Sequence, residues 1–288
     1  MSTPCAQRDS MQGHPCFGGD HRKNGRIHLP VAPACNIKCN FCSRRHDCAN
    51  ESRPGVTSRL LTPAQALDRV REIAGHPTLG SLIKVVGIAG PGDPLANEAT
   101  FETFRLVHEE FPDRILCLST NGLELPNALD RLLDLGVRSL TVTINAYNTR
   151  TAAQIYGWVF YQGRRLTGEA GAAVLMRNQL IGLERAAKAG LVVKVNTVLV
   201  PGINDGDVER IAREVKRRGA TIMNVMPLIP QAEFAHLTPP TPQRMEEVRE
   251  ANERIIGQFR HCRQCRADAI GLIGEDNPAS SWKPVQIN

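Results

Sequence analysis

Nothing in this sequence provides for a membrane span or an export signal. The stretch from Met1 to Gly13 has no apolar h-region, and no later stretch reaches the roughly 18 consecutive apolar residues that a spanning helix requires. The expectation is a soluble, cytoplasmic protein with no membrane partner. A disulfide framework is missing too. The nine cysteines are odd in number and unevenly spaced, which leaves metal thiolates as the default. Internal repeats and low-complexity tracts are absent. The formal net charge of +6 comes mostly from Lys and Arg scattered over expected helices, with local clusters at Lys216 to Arg218 and Arg260 to Arg266. Such runs are more often solvated faces than anion sites, so no nucleic-acid partner is expected.

With 288 residues, 42% of them hydrophobic and 22% charged, the chain can bury one large core. Six apolar or β-branched runs alternate with helical patterns: Ile27–Val31, Ile83–Ile88, Ile115–Leu118, Ser139–Ile144, Val192–Leu199 and Thr221–Leu228. Thr62-Pro63 opens a helix reaching Ala74, and Asn97 stands before one running toward Phe111. Three further helices, Pro126 to Leu135, Leu175 to Ala189 and Asp207 to Arg218, stop at Gly136, Gly190 and Gly219. A last one runs from Pro242 to about Phe259. Six βα units are too few for a closed eight-fold barrel, so the expected fold is α/β, a partial (β/α)6 TIM-like barrel. It carries cysteine-bearing extensions at 1–26 and 236–288 around a barrel at 27–235. The aromatic-rich stretch from Asn148 to Glu169 reads as a lid or insertion, and the tail after Asp276 as flexible.

After the first strand comes Pro33-Ala34-Cys35-Asn36-Ile37-Lys38-Cys39-Asn40-Phe41-Cys42, a C-x3-C-x2-C triplet expected on a loop. Three thiolates at this spacing reach three corners of a [4Fe–4S] cube and leave the fourth iron open to a ligand. A zinc site fits poorly, because zinc ribbons repeat C-x2-C pairs and close four ligands. The second strand ends in Gly87-Ile88-Ala89-Gly90-Pro91-Gly92-Asp93-Pro94-Leu95. Gly90 and Gly92 let backbone approach a ligand closely, and Asp93 offers a carboxylate to an ammonium. By itself this stretch reads equally as a plain turn. Thr143 and Asn145 end the fourth strand as polar groups, while Asn196 and Met226 line either the same cavity or the core. Of the other cysteines, Cys117 alone reads as a core thiol and Cys5 as a bystander, whereas the pair Cys262 and Cys265 has metal-binding spacing.

The triplet followed by the glycine turn resembles the signature of the radical S-adenosylmethionine (SAM) superfamily. That resemblance implies a cluster whose open iron binds the amino and carboxylate groups of SAM, and reductive cleavage of SAM to a 5′-deoxyadenosyl radical. It also implies an electron donor such as a ferredoxin or flavodoxin. Gly90, Gly92 and Asp93 would then receive the methionine end, Thr143, Asn145 and Asn196 would contact the ribose or carboxylate side, and Ile155 would cover the adenine.

From His14 to about Asp276 the blocks His-Pro-Cys, Ala-Cys-Asn-Ile-x-Cys-Asn-x-Cys, Cys-Ala-Asn-Glu-Ser-Arg-Pro-Gly, Gly-Ile-Ala-Gly-Pro-Gly-Asp-Pro-Leu-Ala and Arg-x-Cys-Arg-Ala-Asp-Ala resemble the NifB family of nitrogenase cofactor maturases. This narrower resemblance implies fusion of two further [4Fe–4S] clusters, K1 and K2, around a carbon from a SAM methyl group, giving an [8Fe–9S–C] species. It assigns Cys35, Cys39 and Cys42 to the SAM cluster and Cys16, Cys48 and Cys117, with or without His14, to K1. Cys262 and Cys265 go to K2. Glu51 and Arg53 would shuttle protons or balance cluster charge, a salt bridge being the plainer alternative. Iron–sulfur cluster donors and cofactor carrier or scaffold proteins of nitrogenase assembly are the implied partners. Two departures stand out. The stretch from Phe17 to Arg22 is less acidic than the family pattern, with one His where a pair is common. The chain also stops at Asn288, where many bacterial members continue into a NifX-like domain, so it is expected to be the short form or a shortened chain.

Two other readings compete. A radical SAM enzyme with one auxiliary cluster, acting on a peptide or small molecule, would need at least three clustered cysteines near the C-terminus, and only Cys262 and Cys265 are there. A non-catalytic iron–sulfur scaffold would have no need of the triplet or its glycine turn.

Overall fold

The computed structural model describes residues 12–50, 57 and 59–274. In chain order the elements are β1 (Gly25–His28), β2 (Ile37–Cys39), α1 (Pro63–Ala74), the single-turn α2 (Leu79–Leu82), β3 (Ile83–Ile88), α3 (Glu98–Glu110), β4 (Ile115–Thr120), α4 (Leu125–Asp134) and β5 (Ser139–Thr143). There follow α5 (Thr149–Ile155), β6 (Tyr156–Tyr161), β7 (Arg164–Leu166), α6 (Gly168–Lys188), β8 (Val192–Leu199), α7 (Val208–Arg217), β9 (Ile222–Pro227), α8 (Pro242–Glu253) and β10 (Ile270–Gly271). The six expected strands pair in parallel in the order β1-β3-β4-β5-β8-β9, an open partial barrel. No helix among the described residues is long and apolar enough to cross a membrane.

The helix ends follow local chemistry. Thr62 Oγ1 accepts from Gln65 N at 3.3 Å while Gln65 Oε1 accepts from Thr62 N at 3.0 Å, a reciprocal cap that starts α1. Gly136, Gly190 and Gly219 follow their helices with φ of +79°, +91° and +97°, a conformation that favours glycine. Asn97 precedes α3 but does not cap it; its amide spans to Ala34 N, Ala34 O and Asp93 O instead.

Several boundaries differ from expectation. The first strand begins at Gly25 rather than Ile27, and β10 adds to its outer edge antiparallel, an edge the sequence pattern did not reveal. Helix α6 starts at Gly168, ahead of Leu175. Helix α8 ends at Glu253, short of Phe259, because the chain beyond it pairs with β9: Met223 N donates to Gly257 O at 2.9 Å and Phe259 N to Met223 O at 2.7 Å. The aromatic stretch expected as a lid or insertion forms α5, β6 and β7, and β6 pairs antiparallel with β2, inside the cysteine triplet. It is the scaffold of that loop.

Alternation along the strands decides what sits where. Ile27, Val86, Leu116, Leu118, Leu140, Val142, Val193, Val195, Met223 and Val225 face the helices and form the large core with Leu67, Phe104, Leu129, Leu183 and Ile211. Met245, Val248, Ile256 and Ile270 belong to the same core, so the C-terminal segment packs on the barrel. The in-between residues, Arg26, His28, Cys117, Thr141, Thr143, Lys194 and Asn196, are left for the concave side.

Phe104 is fully buried in α3. Phe104→Ala is expected to cost about 3–5 kcal/mol of folding stability, and Thr62→Ala about 1 kcal/mol, both read from urea denaturation of the unloaded chain. Equal costs would contradict a core-dominated fold.

Candidate functional site

Three contacts shape the cysteine loop. Ile37, Lys38 and Cys39 pair with Val159, Trp158 and Tyr156. Asn40 N donates to Ile155 O at 2.8 Å, and Phe41 is buried beside Phe234, whose N–H donates to Asn40 O. From the other side the glycine turn presses on the loop: Asp93 N donates to Ala34 O at 2.9 Å, and a Cβ on Gly92 would lie 2.2 Å from that same oxygen. Glycine is required at 92 by the cysteine loop itself. Gly90, with φ of +149°, also adopts a backbone that L side chains rarely reach.

Between the loop and the strand ends lies a cavity of about 540 Å³, whose wall includes Cys35, Cys39, Cys42, Cys48, Asp93 and Thr143. Burial pushes the Cys35 thiol up to about 11, with the Asp93 carboxyl adding to the shift, and pushes Cys39 well above the usual thiol range. Both sulfurs face amide donors: Asn121 Nδ2 at 3.9 Å from Cys35 Sγ, and Asn50 Nδ2 at 3.4 Å from Cys39 Sγ. Three thiols lining one cavity, two of them facing amide donors, fit a thiolate-ligated [4Fe–4S] cluster, whose sulfur ligands gain from such hydrogen bonds. Asp93 is buried, and burial raises its carboxyl to about 6 against hydrogen bonds from Asn121 N, Thr120 Oγ1 and Leu95 N.

Not every candidate reaches this cavity. Asn145 is fully buried, with Oδ1 accepting from Val198 N and Nδ2 donating to Asn50 Oδ1, so it holds Asn50 in place. Ile155 is buried in the smaller core with Ile37, Cys39 and Phe41. Asn196 accepts from Asn224 and opens onto a different chamber. Met226 lies 4.0 Å from Cys262 Sγ, sulfur to sulfur. Glu51, Arg53, Cys5 and the tail after Asp276 lie outside the described residues.

That second chamber is narrow, about 60 Å³, and its wall brings together Cys16, Cys117, Cys262 and Cys265. Cys48 is not among them; the family resemblance groups it with Cys16 and Cys117, while here it lines the first cavity. Ser119 of β4 belongs to the walls of both. Burial raises the Cys16 thiol to about 11, and that of Cys262 upward, while Lys194 opposes both shifts. Gly87 separates Cys117 from His28: a Cβ there would sit 3.1 Å from Cys117 Sγ and 3.1 Å from the His28 ring.

The two histidines offer opposite atoms. His14 Nδ1 accepts from Cys16 N at 3.1 Å, and burial keeps the ring neutral, so the proton is on Nε2, which is buried with no partner among the described residues. His28 Nδ1 lies 3.1 Å from Arg266 O, which can only accept, and burial lowers the ring's pKa to about 4. Its Nε2 therefore carries a lone pair. Arg26 is fully buried and donates to Gly271 O at 2.7 Å, Leu272 O at 2.8 Å and Cys265 Sγ at 2.8 Å. Arg26, His28 and Lys194 were missed from sequence. The signal was available, because a charged residue within a strand buried on both faces rarely serves packing.

The sequence matches the Radical SAM superfamily over residues 29–215. It is 49% identical over 277 residues to "FeMo cofactor biosynthesis protein NifB" of Klebsiella pneumoniae, covering 93% of this chain and 58% of that one. To the protein of the same name from Chlorobaculum tepidum it is 44% identical over 275 residues, covering 93% and 63%. The chain thus spans little more than half the length of these curated relatives, and the resemblance to the NifB family read from its blocks is borne out. Escherichia coli coproporphyrinogen III oxidase, a radical SAM enzyme, superposes with a TM-score of 0.49 at 16% identity, over 85% of this chain and 54% of that one. Because the family match runs from just before the cysteine loop through β8 and into α7, the chain belongs to the radical SAM superfamily.

Proposed function

We propose that this chain joins two [4Fe–4S] substrates, K1 and K2, around a carbon taken from the methyl group of SAM, making the [8Fe–9S–C] precursor of the nitrogenase cofactor. The observation that carries this reading is the pair of sulfur-bearing cavities with Ser119 in the wall of both. A non-catalytic scaffold needs only the second. The relatives' name, FeMo cofactor biosynthesis protein NifB, supports the same reading. Cluster donors, a carrier or scaffold for the product and a ferredoxin or flavodoxin are the partners it requires.

Membership of the superfamily implies a resident [4Fe–4S] cluster and SAM. Cys35, Cys39 and Cys42 hold that cluster, which when bound supplies the electron that cleaves SAM to a 5′-deoxyadenosyl radical. Asp93, with the Gly90 and Gly92 backbone, receives the SAM ammonium, and Thr143 contacts its ribose or carboxylate side. Asn50 and Asn121 hold the sulfurs of Cys39 and Cys35. Cys16 and Cys117, joined by Cys48 from the first cavity, bind K1, and His14 Nε2–H donates to its sulfur. Cys262 and Cys265 bind K2. Two thiolates anchor a substrate that must later be moved, and admitting it requires the narrow second chamber to widen. A sulfide of K2 displaces S-adenosylhomocysteine from the SAM methyl, forming an S–C bond as the sulfonium C–S bond breaks.

Replacing any of Cys35, Cys39 or Cys42 by Ala is expected to abolish 5′-deoxyadenosine formation, measured chromatographically after anaerobic reduction with SAM. Undiminished product from all three variants would end this assignment.

Asp93 gives a pH dependence. Its carboxyl is raised on folding from 3.8 to about 6, so the empty chain holds that proton below about pH 6, and the folding penalty of its charge appears as pH rises from 3.8 through 6. An ammonium stabilises the charged form, so SAM affinity should rise with pH through about 6. Asp93→Asn should flatten that dependence in calorimetric titrations between pH 5 and 8; an unchanged profile would remove Asp93 from the SAM site.

The decisive test of the whole reading pairs iron and sulfide counts after anaerobic reconstitution with methyl-labelled SAM. Wild type should hold more than one cube and pass label into acid-releasable cluster carbon. Cys262→Ala combined with Cys265→Ala should lose both S-adenosylhomocysteine and label transfer while keeping the spectrum of the SAM cluster. Wild-type S-adenosylhomocysteine from the double variant would place the methyl acceptor elsewhere.

A further inference from the structure

Lys194 lies in the middle of β8, Val-Val-Lys-Val-Asn-Thr-Val-Leu, a strand in which every residue is buried. Its neighbours Val193 and Val195 pack under the helices, so alternation turns Lys194 toward the second chamber, whose wall it joins. The ammonium rests over two aromatic rings, 5.1 Å from the centroid of Phe17 and 5.3 Å from that of Phe259. Among the described residues it makes no hydrogen bond and no ion pair. Its charge acts on the buried Cys16, Cys262, His14 and His28 around it. Buried Arg26 stands behind that wall, 2.8 Å from the Sγ of Cys265, which does line it.

A buried ammonium without a counter-ion is among the costlier things a fold can hold. Two ring faces offset only part of the lost hydration. Such a charge is retained where an anion arrives to meet it. The thiols point to the anion: four of them line the one void, thiolates are the usual protein ligands of iron–sulfur clusters, and a cube bound by thiolates is itself anionic, with sulfides on its surface that accept hydrogen bonds. We propose that Lys194, held between Phe17 and Phe259, is a positioning residue that donates to the sulfides of the anionic clusters held by the second chamber's thiols and so fixes where those substrates sit. This rests on the proposed function above, deepening it by a residue that contributes charge without ligating iron.

Lys194→Met keeps an unbranched side chain, one atom shorter, and removes the charge; Lys194→Arg keeps the charge. The full chains are reconstituted anaerobically with iron and sulfide, and three quantities are read: iron beyond a single cube, the reduction midpoint of those additional clusters, and the melting temperature of the unloaded chain. The proposal expects Lys194→Met to lose most of the additional iron and to move the remaining midpoint more negative, since a nearby positive charge favours the reduced, more anionic cluster. Lys194→Arg should restore loading. The unloaded Met variant should melt at or above wild type, because an uncompensated buried charge has gone. Wild-type loading and midpoint in Lys194→Met would overturn the proposal while leaving the two-cluster reading intact. So would an unloaded Met variant that melts well below wild type, which would make Lys194 a structural lysine. Wild type holding only one cube would overturn the two-cluster reading, and this proposal with it.

Discussion

Each parallel strand of this sheet has one face under helices and one face open to the concave side, and the two-residue period of the backbone forces every substitution to choose between them. The helix-facing residues are Val, Ile, Leu and Met almost throughout, and they assemble the large core. The other face holds His28, Cys117, Thr143, Lys194 and Asn196, which line the two cavities. A closed barrel fills its interior with layers of branched side chains. This open one leaves its interior to polar and sulfur-bearing groups. Stability and chemistry are thereby assigned to opposite faces of the same strands.

The cysteine triplet depends on backbone packing more than on its own sequence. It is gripped between the three-stranded sheet that β6 and β7 make with β2 and the turn at Gly92. Asp93 ties that turn to the end of β4 through Thr120 and Asn121, and Asn121 reaches Cys35. Asn145 holds Asn50, which faces Cys39. A thiol set built this way is pre-shaped by hydrogen bonds that involve no metal, which is how a loop can present three thiols at once.

The second chamber inverts the usual logic of a buried site. Burial pushes the thiols of Cys16 and Cys262 up, and buried Lys194 makes no ion pair among the described residues. Arg26 ties the C-terminal strand carbonyls and Cys265 to β1. The C-terminal segment is thus fastened to the barrel by charge and hydrogen bonds where it meets the chamber, and by apolar packing elsewhere.

Sequence alone determined the six βα units, because periodicity switches between two and 3.6 and glycines at 136, 190 and 219 punctuate the helices. It also determined the triplet and the glycine turn, since their chemistry is written in consecutive residues. What it could not decide was anything set by distant pairing. The strand β10, the early end of α8 and the union of β2 with β6 join segments far apart in the chain, and no local pattern encodes a partner. The two cavities divide the cysteines for the same reason: Cys48 follows the triplet closely in sequence and lines the same cavity, whereas Cys16, Cys117, Cys262 and Cys265 line the second only because the chain returns across the barrel. Asn145 shows the converse, since a polar residue at a strand end can serve a ligand or a neighbour, and only packing reveals that Asn50 and Val198 occupy it. Lys194 lay legible as an anomaly within an apolar strand, but the rings that hold it and the thiols it faces belong to tertiary structure, which alone turns a buried charge into a site.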